Sequence, residues 1–483
     1  MIAFYLSVAV LGGLCLWLYF KVGPRQAVAA AALLTLLVPQ WVRWDVDEGV
    51  WINVPTAITV LTLALYSFHP QATFNFRLGL CDWAILAMIG VHIASDIAND
   101  GFSISILLRA YGEWFMPYVA GRLAFQRIDD VRWALPLAAG VSLALALQGV
   151  IEAMLSLRPN LFEFLAMQER PVPKGIESNA ANASRWGFKR AYGPLMHSLY
   201  FGVLQVILMP WLLYASQRMM RNRGDEPSGK GWLWSIPVTA VGVASSLSRG
   251  PFLAIGALLY GMYWVLTPRN RMVLGVIGVV AVLATVAISG SLLDQLDALT
   301  GEDQSGQTTK SGDENVKFTS AGARKLLFTV YAHPMRHAGL LGYGTEACSS
   351  FPPDVPLNQP VGRVKAVDNA YILFTLRFGY LGLLLFLAIN VAAAWQFLSL
   401  ADAASGDLKV WLAAMAGMVV TAMLMFMLVW MPQDIGFLYL FSLGASSGLV
   451  LDAKPIGTQG KRRRRSAPKE LEEPPMRPIG DAW

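Results

Sequence analysis

Arginines, a carboxylate and histidines recur at the ends of apolar runs in this sequence, in four clusters. Arg190 to His197 (Arg-Ala-Tyr-Gly-Pro-Leu-Met-His) leads into one run. Ser248-Arg249-Gly250 joins two others across a very short connector. Arg324 lies in a helical-looking stretch ahead of His333-Pro334 and Gly342-Tyr343-Gly344. Asp368-Asn369 opens a further run that carries Arg377, Gly379 and Gly382. A guanidinium stays charged and its planar fork fits phosphate, so Arg249 reads as an anion clamp or as a snorkelling anchor. Asp368 reads as the N-cap of the helix it precedes. The same geometry would aim its carboxylate off the helix end, where it could accept a proton. His197, His333 and His337 lack metal-ligand spacing, and Pro334 interrupts the only His-x-x-x-His pair. Cys15, Cys81 and Cys348 are scattered, with no Cys-x-x-Cys. Neither a metal site nor a disulfide is expected.

The elements that must position these clusters are membrane spans. Of 483 residues, 55% are hydrophobic and 14% charged, with mean hydropathy +0.47; soluble domains carry about a quarter charged residues. The apolar runs reach the roughly 20 residues that cross a bilayer as helix. About thirteen helices are predicted, near residues 2–20, 26–42, 50–68, 80–97, 104–121, 133–156, 195–216, 232–247, 251–267, 273–293, 369–398, 410–430 and 435–451. The first run has no positive leader or small-residue cleavage site and is expected to remain as a span.

Every second connector is basic: Lys21/Arg25, Arg77, Arg122/Arg127/Arg132, Arg218/Arg221/Arg223/Lys230, Arg269/Arg271 and Lys409. The short ones between them are acidic or sparsely charged, such as Asp45 to Glu48 and Asp96 to Asp100. Basic connectors stay cytoplasmic, which predicts an external N-terminus and a cytoplasmic C-terminus. The tail Lys461-Arg462-Arg463-Arg464-Arg465 agrees, as an anchor near anionic lipid and not a nucleic-acid site. The expected plan is therefore spans in 1–156, an external loop 157–194, spans in 195–293 with the Ser-Arg-Gly turn, a large external loop 294–368, spans in 369–451 and a tail 452–483. Residues 301–313 and the tail, polar and low in complexity, are expected to be disordered. All four polar clusters fall on the external side.

Asp368-Asn369, nine residues, then Gly379-Tyr-Leu-Gly382 resembles the late signature of the O-antigen ligase and polymerase superfamily. HPMRHAGLLGYGTEA (333–347), SLSRGPFLAIGALL (246–259) and RAYGPLMHS (190–198) extend the resemblance over roughly residues 185–390. The resemblance implies an all-α polytopic membrane glycosyltransferase of about 12–13 spans, GT-C-like, in the bacterial inner membrane, with a large late periplasmic loop. It implies an undecaprenyl-pyrophosphate-linked oligosaccharide donor and a glycan, lipid or protein acceptor. A chain-length regulator or flippase is a further partner, and no cofactor is implied. Arg249 and Arg324 match the family's paired arginines, with Arg190 a third candidate; they would neutralise the departing pyrophosphate. His197, Asn369 and Arg377 would contact substrate. Asp368 stands where the ligases usually carry histidine, and would orient or deprotonate the acceptor hydroxyl with inversion at the anomeric carbon. That substitution favours a polymerase over a ligase. A transporter would instead need ionisable residues deep in the spans, for which Arg109, Glu113 and Arg377 are candidates. A membrane transpeptidase would need Cys348 activated by His333 or His337.

Overall fold

A computed structural model describes residues 2–39, 41–47, 50–69, 78–157, 184–185, 187–221, 232–278, 280, 308–311, 314–317, 321–349, 353–357, 367–431 and 433–453. The protein is an all-α polytopic membrane protein. Six described helices are long and apolar enough to cross a bilayer: α1 (Ile2–Lys21), α4 (Leu80–Asp100), α7 (Ile128–Leu155), α8 (Ser198–Arg221, apolar over Ser198–Gln217), α14 (Ala370–Ala403) and α15 (Gly406–Met425). A bent pair, α10 (Arg249–Leu266) and α11 (Pro268–Gly278), makes a seventh if it counts as one broken span. Shorter apolar helices are α2 (Pro24–Leu34), α3 (Val54–Phe68), α9 (Trp232–Ser245) and α16 (Gln433–Ala453). The predicted run at 104–121 is helical throughout, as α5 (Ile104–Ala110), a π turn at Tyr111–Phe115 and α6 (Met116–Ala124). The run predicted at 50–68 instead begins as a strand, Val50–Asn53, paired with Arg43–Asp47, before α3 starts. Asn53 stops the strand because its side chain accepts Thr56 N–H and Pro55 follows, a pairing that nucleates helix.

Parts of the two long connectors, the second half of the span predicted at 273–293 and the tail lie outside the described residues: 158–183, 281–307, 350–352, 358–366 and 454–483. Within the second connector, Thr308–Ser311 and Glu314–Lys317 pair antiparallel, and the first of these strands falls inside 301–313, whose composition had suggested disorder. The pair is followed by α12 (Ala321–His337) and the single turn α13 (Gly344–Ala347).

Burial sets the order of the spans. The apolar stretch of α8 is 94% buried and that of α1 33%, which makes α8 central and α1 peripheral. Lipid tails drive no hydrophobic association between helices, so close packing of small residues does. A Cβ at Gly121 of α6 would overlap the Phe441 carbonyl oxygen of α16, and one at Gly444 of α16 would overlap the carbonyl oxygen of Tyr118. Gly444→Leu is therefore expected to cost well above the roughly 1–3 kcal/mol of ordinary overpacking. The readout is the thermal midpoint of the detergent-solubilised protein, with Gly13→Leu, which meets nothing within 4 Å, as the control.

Among the described residues, basic side chains mark one end of the bundle, at the start of α7 and the end of α14. There Arg25 pairs with Asp130 at 3.1 Å and Arg271 with Asp402 at 2.6 Å. The opposite end carries the four polar clusters. Its central feature is a break in α14. Gly379 has φ 65 and ψ −166, which interrupts the ladder one-third of the way along the helix. Residues 339–343 fill the gap: Tyr343 N–H donates to Leu376 O at 2.7 Å, Tyr380 N–H to Gly339 O at 3.0 Å and Leu381 N–H to Leu340 O at 3.3 Å. The break thus leaves no stranded peptide group at these positions, which an apolar surrounding would penalise. Gly342 has to be glycine here, because a Cβ would stand 2.5 Å from Leu376 O and 2.6 Å from the Arg377 carbonyl. The short half of α14 also carries its own small core, in which Ile372, Leu373 and Leu376 pack with Leu327, Tyr331, Cys348, Val355 and Val367.

Candidate functional site

Two neighbourhoods occupy the polar-cluster end. The first is built where α8, α10 and the segment after α15 meet. A Cβ at Gly250 would touch Leu199 at 3.4 Å and Leu428 at 3.6 Å, so the start of α10 lies against the start of α8 and the 426–430 turn. Asn369 is tied to that turn, its Nδ2 donating to Met427 O at 3.0 Å, while Ala370 N–H donates to Phe426 O at 2.8 Å. The turn preceding α10 is itself constrained. Leu247 takes a positive φ of 49, Ser246 Oγ donates to Val243 O, and Ser248 N–H donates to Ser246 Oγ. A branched side chain in that conformation is uncommon and marks a turn held by its surroundings. Arg190 is fastened to this turn: its NH2 donates to Ser248 Oγ at 2.7 Å and its Nε to Ser246 O at 3.4 Å. Arg190 and Arg249 are therefore presented from one turn, both half-buried.

Asp368 lies just before α14, beside Tyr200 of α8. Its expected role as the helix cap is overturned: Asn369 is the N-cap of α14, accepting Ile372 N–H on its Oδ1 at 3.1 Å. Asp368, one residue earlier, is exposed, and Tyr200 Oη donates to its Oδ1 at 3.4 Å. Asn369, expected to contact substrate, spends its amide on the cap and on Met427. His197 packs at a tilt against Tyr200 with ring centroids 5.3 Å apart, and Trp430 meets the tyrosine edge-on at 6.4 Å. Leu199 N–H donates to His197 Nδ1 at 3.1 Å, so in the neutral ring the proton sits on Nε2. The backbone of this corner is fixed by the buried Glu152, which accepts N–H bonds from Tyr192 and Gly193 at 3.1 and 2.9 Å.

Arg377 belongs to the second neighbourhood. Eight helical residues separate it from Asn369, about 12 Å at 1.5 Å per residue. It is half-buried, and its Nε has no hydrogen-bond partner among the described residues. Arg324 lies in α12, but its side chain is outside the described residues. The structure therefore groups Arg190, Arg249, His197, Tyr200, Asp368 and Asn369, and sets Arg377 apart.

Helix α12 runs through Pro334, and the His333 and His337 ring centroids lie 4.1 Å apart in a tilted arrangement. Among the described residues, no three His, Cys, Asp or Glu side chains are grouped as metal ligands. Cys348 is buried, and that burial pushes its thiol up to about 11, partly offset by the Arg377 charge. A thiol protonated at neutral pH is a poor nucleophile, which removes the basis for a transpeptidase. Cys348→Ala is expected to leave turnover within about twofold, because at most a small cavity is introduced; an assay with a lipid-linked donor checks this.

Nothing in the sequence singles out Tyr200, an aromatic at the head of a span. The sequence does carry a signal for His92 and Asp96, a polar i, i+4 pair inside an apolar run, since the helix continues to Asp100 where a connector had been expected.

Residues 235–387 match a family model described as O-Antigen ligase. The matched segment includes the Ser248–Gly250 turn, α12, the 339–343 insertion, Asp368 and the break at Gly379. No curated protein matches the chain. Over that segment, the chain is similar to the O-antigen ligase family.

Proposed function

We propose that this protein polymerises oligosaccharide repeat units carried on a lipid pyrophosphate, at the periplasmic face of the bacterial inner membrane. The observation that supports this reading is that Asp368, one residue before the cap Asn369, is bonded to Tyr200 at the head of α8, while Arg190 is bonded to Ser248 in the turn that precedes Arg249 against the same helix end. An acceptor hydroxyl attacks the anomeric carbon of the donor sugar. Its proton passes to an Asp368 oxygen, the new C–O bond forms, and the bond to the pyrophosphate oxygen breaks with inversion. The pyrophosphate leaves with the electron pair, and Arg249 and Arg190, joined by Arg324 from α12, stabilise its charge. Fixed cations aimed at developing charge are usually the largest catalytic contribution. The reaction needs no metal, because guanidinium groups supply the positive charge that the leaving group requires. Tyr200 holds the Asp368 carboxylate, and Arg377 binds the carrier further along α14.

A carrier lipid requires a site at a bilayer surface, and this one lies at the end of the bundle opposite Arg25, Arg132 and Arg271. Ligase-type transfer to a lipid or protein acceptor is the alternative within the family, favoured by the description of the matching model. Glycan analysis of a deletion strain separates the two. Single repeat units left on the carrier are expected; long chains stranded on the carrier would favour a ligase, and an unchanged profile would remove the reading. Impermeant labelling of single cysteines in spheroplasts should reach position 353 and not positions after Lys454; the reverse would put the site on the wrong face.

A further inference from the structure

The second neighbourhood contains charged residues that the proposed chemistry does not use. His92 and Asp96 of α4 are both fully buried, as are Trp114 of the π turn and Thr345 of α13. Asp96 Oδ1 accepts Thr345 N–H at 2.7 Å, and Asp96 Oδ2 stands 3.3 Å from His92 Nε2. Thr345 Oγ1 is also 3.3 Å from that nitrogen. Trp114 Nε1 lies 3.2 Å from His92 Nδ1. An indole N–H can only donate, so His92 Nδ1 carries the lone pair and Nε2 the proton, for which Thr345 Oγ1 is the hydrogen-bond partner, with the Asp96 charge beside it. Glu113 completes the surroundings, 3.9 Å from His92 Nδ1. A buried carboxylate and imidazole are costly unless their partners are arranged in advance. The π turn does that arranging: its extra residue brings Trp114 inward onto the His92 ring.

The same helix reaches the broken span directly. Ser95 Oγ donates to the Arg377 carbonyl at 2.7 Å, and Asn99 Nδ2 donates to Gly342 O at 3.3 Å. One turn of α4 thus holds both sides of the junction: the insertion at Gly342 and Thr345, and the freed carbonyl of Arg377 in α14. The insertion in turn is hydrogen-bonded into the break on either side of Gly379. Arg377 is the last residue but one before that break, so its direction depends on how the insertion is seated.

We propose that His92 and Asp96 are positioning residues: they latch the Gly342–Thr345 turn into the break of α14 and thereby set the aim of Arg377 at the phosphates of the carrier. The inference rests on the role given to Arg377 above, and it accounts for two buried ionisable side chains some 250 residues away in sequence from the turn they hold.

The test is a double-mutant cycle on the purified full-length protein, with a lipid-pyrophosphate-linked oligosaccharide as donor. Arg377→Ala is expected to raise the donor KM by on the order of tenfold with a smaller change in kcat, the loss of one charged contact in binding. Asp96→Ala should give the same KM-weighted defect. In the Arg377→Ala background it should add almost nothing, because both changes remove one interaction. With Arg249→Ala the two defects should multiply. Asp96→Asn, which still accepts Thr345 N–H, should recover most of the loss. If Asp96→Ala does not accumulate, Thr345→Val carries the same cycle, since it keeps the N–H to Asp96 and loses only the hydroxyl at His92. Undiminished loss from either change in the Arg377→Ala background overturns the latch. A silent Arg377→Ala beside an inactive Arg249→Ala also overturns it while leaving the proposed reaction intact; silence of both arginine variants sinks the reaction itself.

Discussion

Asp368→Asn is expected to lower turnover by a factor on the order of 10² to 10⁴, the range a positioned proton acceptor supplies, while protein levels stay normal. The second half of that expectation comes from the structure. Were Asp368 the helix cap, asparagine would replace it almost silently, because the two cap about equally well. Asn369 makes the capping bond to Ile372 N–H and anchors the turn through Met427 O, so the neighbouring carboxylate has no such duty. The amide keeps an oxygen for Tyr200 Oη but loses the negative charge and with it the ability to take a proton. Asp368→His should retain measurable activity, since it offers a base with an unperturbed pKa of about 6.5 against about 3.9 for aspartate. Imidazole works only when deprotonated, so turnover of the His variant should climb as pH rises through that value. The measurement is initial rate on purified protein with a lipid-linked donor. Full activity in the Asn variant would leave the reaction without its base.

Arg249→Ala and Arg324→Ala should each cost on the order of 10² or more in kcat, as the loss of one preorganised charge-stabilising donor does. Arg→Lys at either position should recover only part of this, because an ammonium keeps the charge but loses the planar fork. Arg249 has the firmer geometric support. It follows a turn in which Leu247 adopts φ 49 and Ser248 accepts from Arg190, so its backbone is held before substrate arrives. Arg190→Ala should therefore fall between the alanine and lysine variants of Arg249, since it removes a nearby cation together with a brace for the turn. Quantified glycan from variants matched for protein level decides the matter; near-wild-type product from Arg249→Ala would take it out of the mechanism.

The sequence by itself determined that this is an all-α polytopic membrane protein. Apolar runs, alternating basic connectors and the short Ser248–Gly250 link are local properties, and hydropathy registers them because a bilayer tolerates little else. It also marked the chemistry-bearing segments, since Arg249, Asp368, Gly342 and Gly379 sit in recognisable order and spacing. Tertiary structure alone decided which of two adjacent residues caps α14. Asp and Asn are near-equal caps, and the choice follows from the bond between Asn369 and Met427, 58 residues away. The same holds for the break at Gly379. A lone glycine in an apolar run reads as an ordinary helix position, and nothing local announces that residues 339–343 will supply the missing hydrogen-bond partners. His92 and Asp96 show the limit most plainly: their spacing places them on one helix face, but the groups that make their burial tolerable, Trp114 and Thr345, come from a π turn and a distant loop. Helical period and hydropathy are set within a few residues, whereas the pairing of buried polar groups is settled only when separate segments pack together.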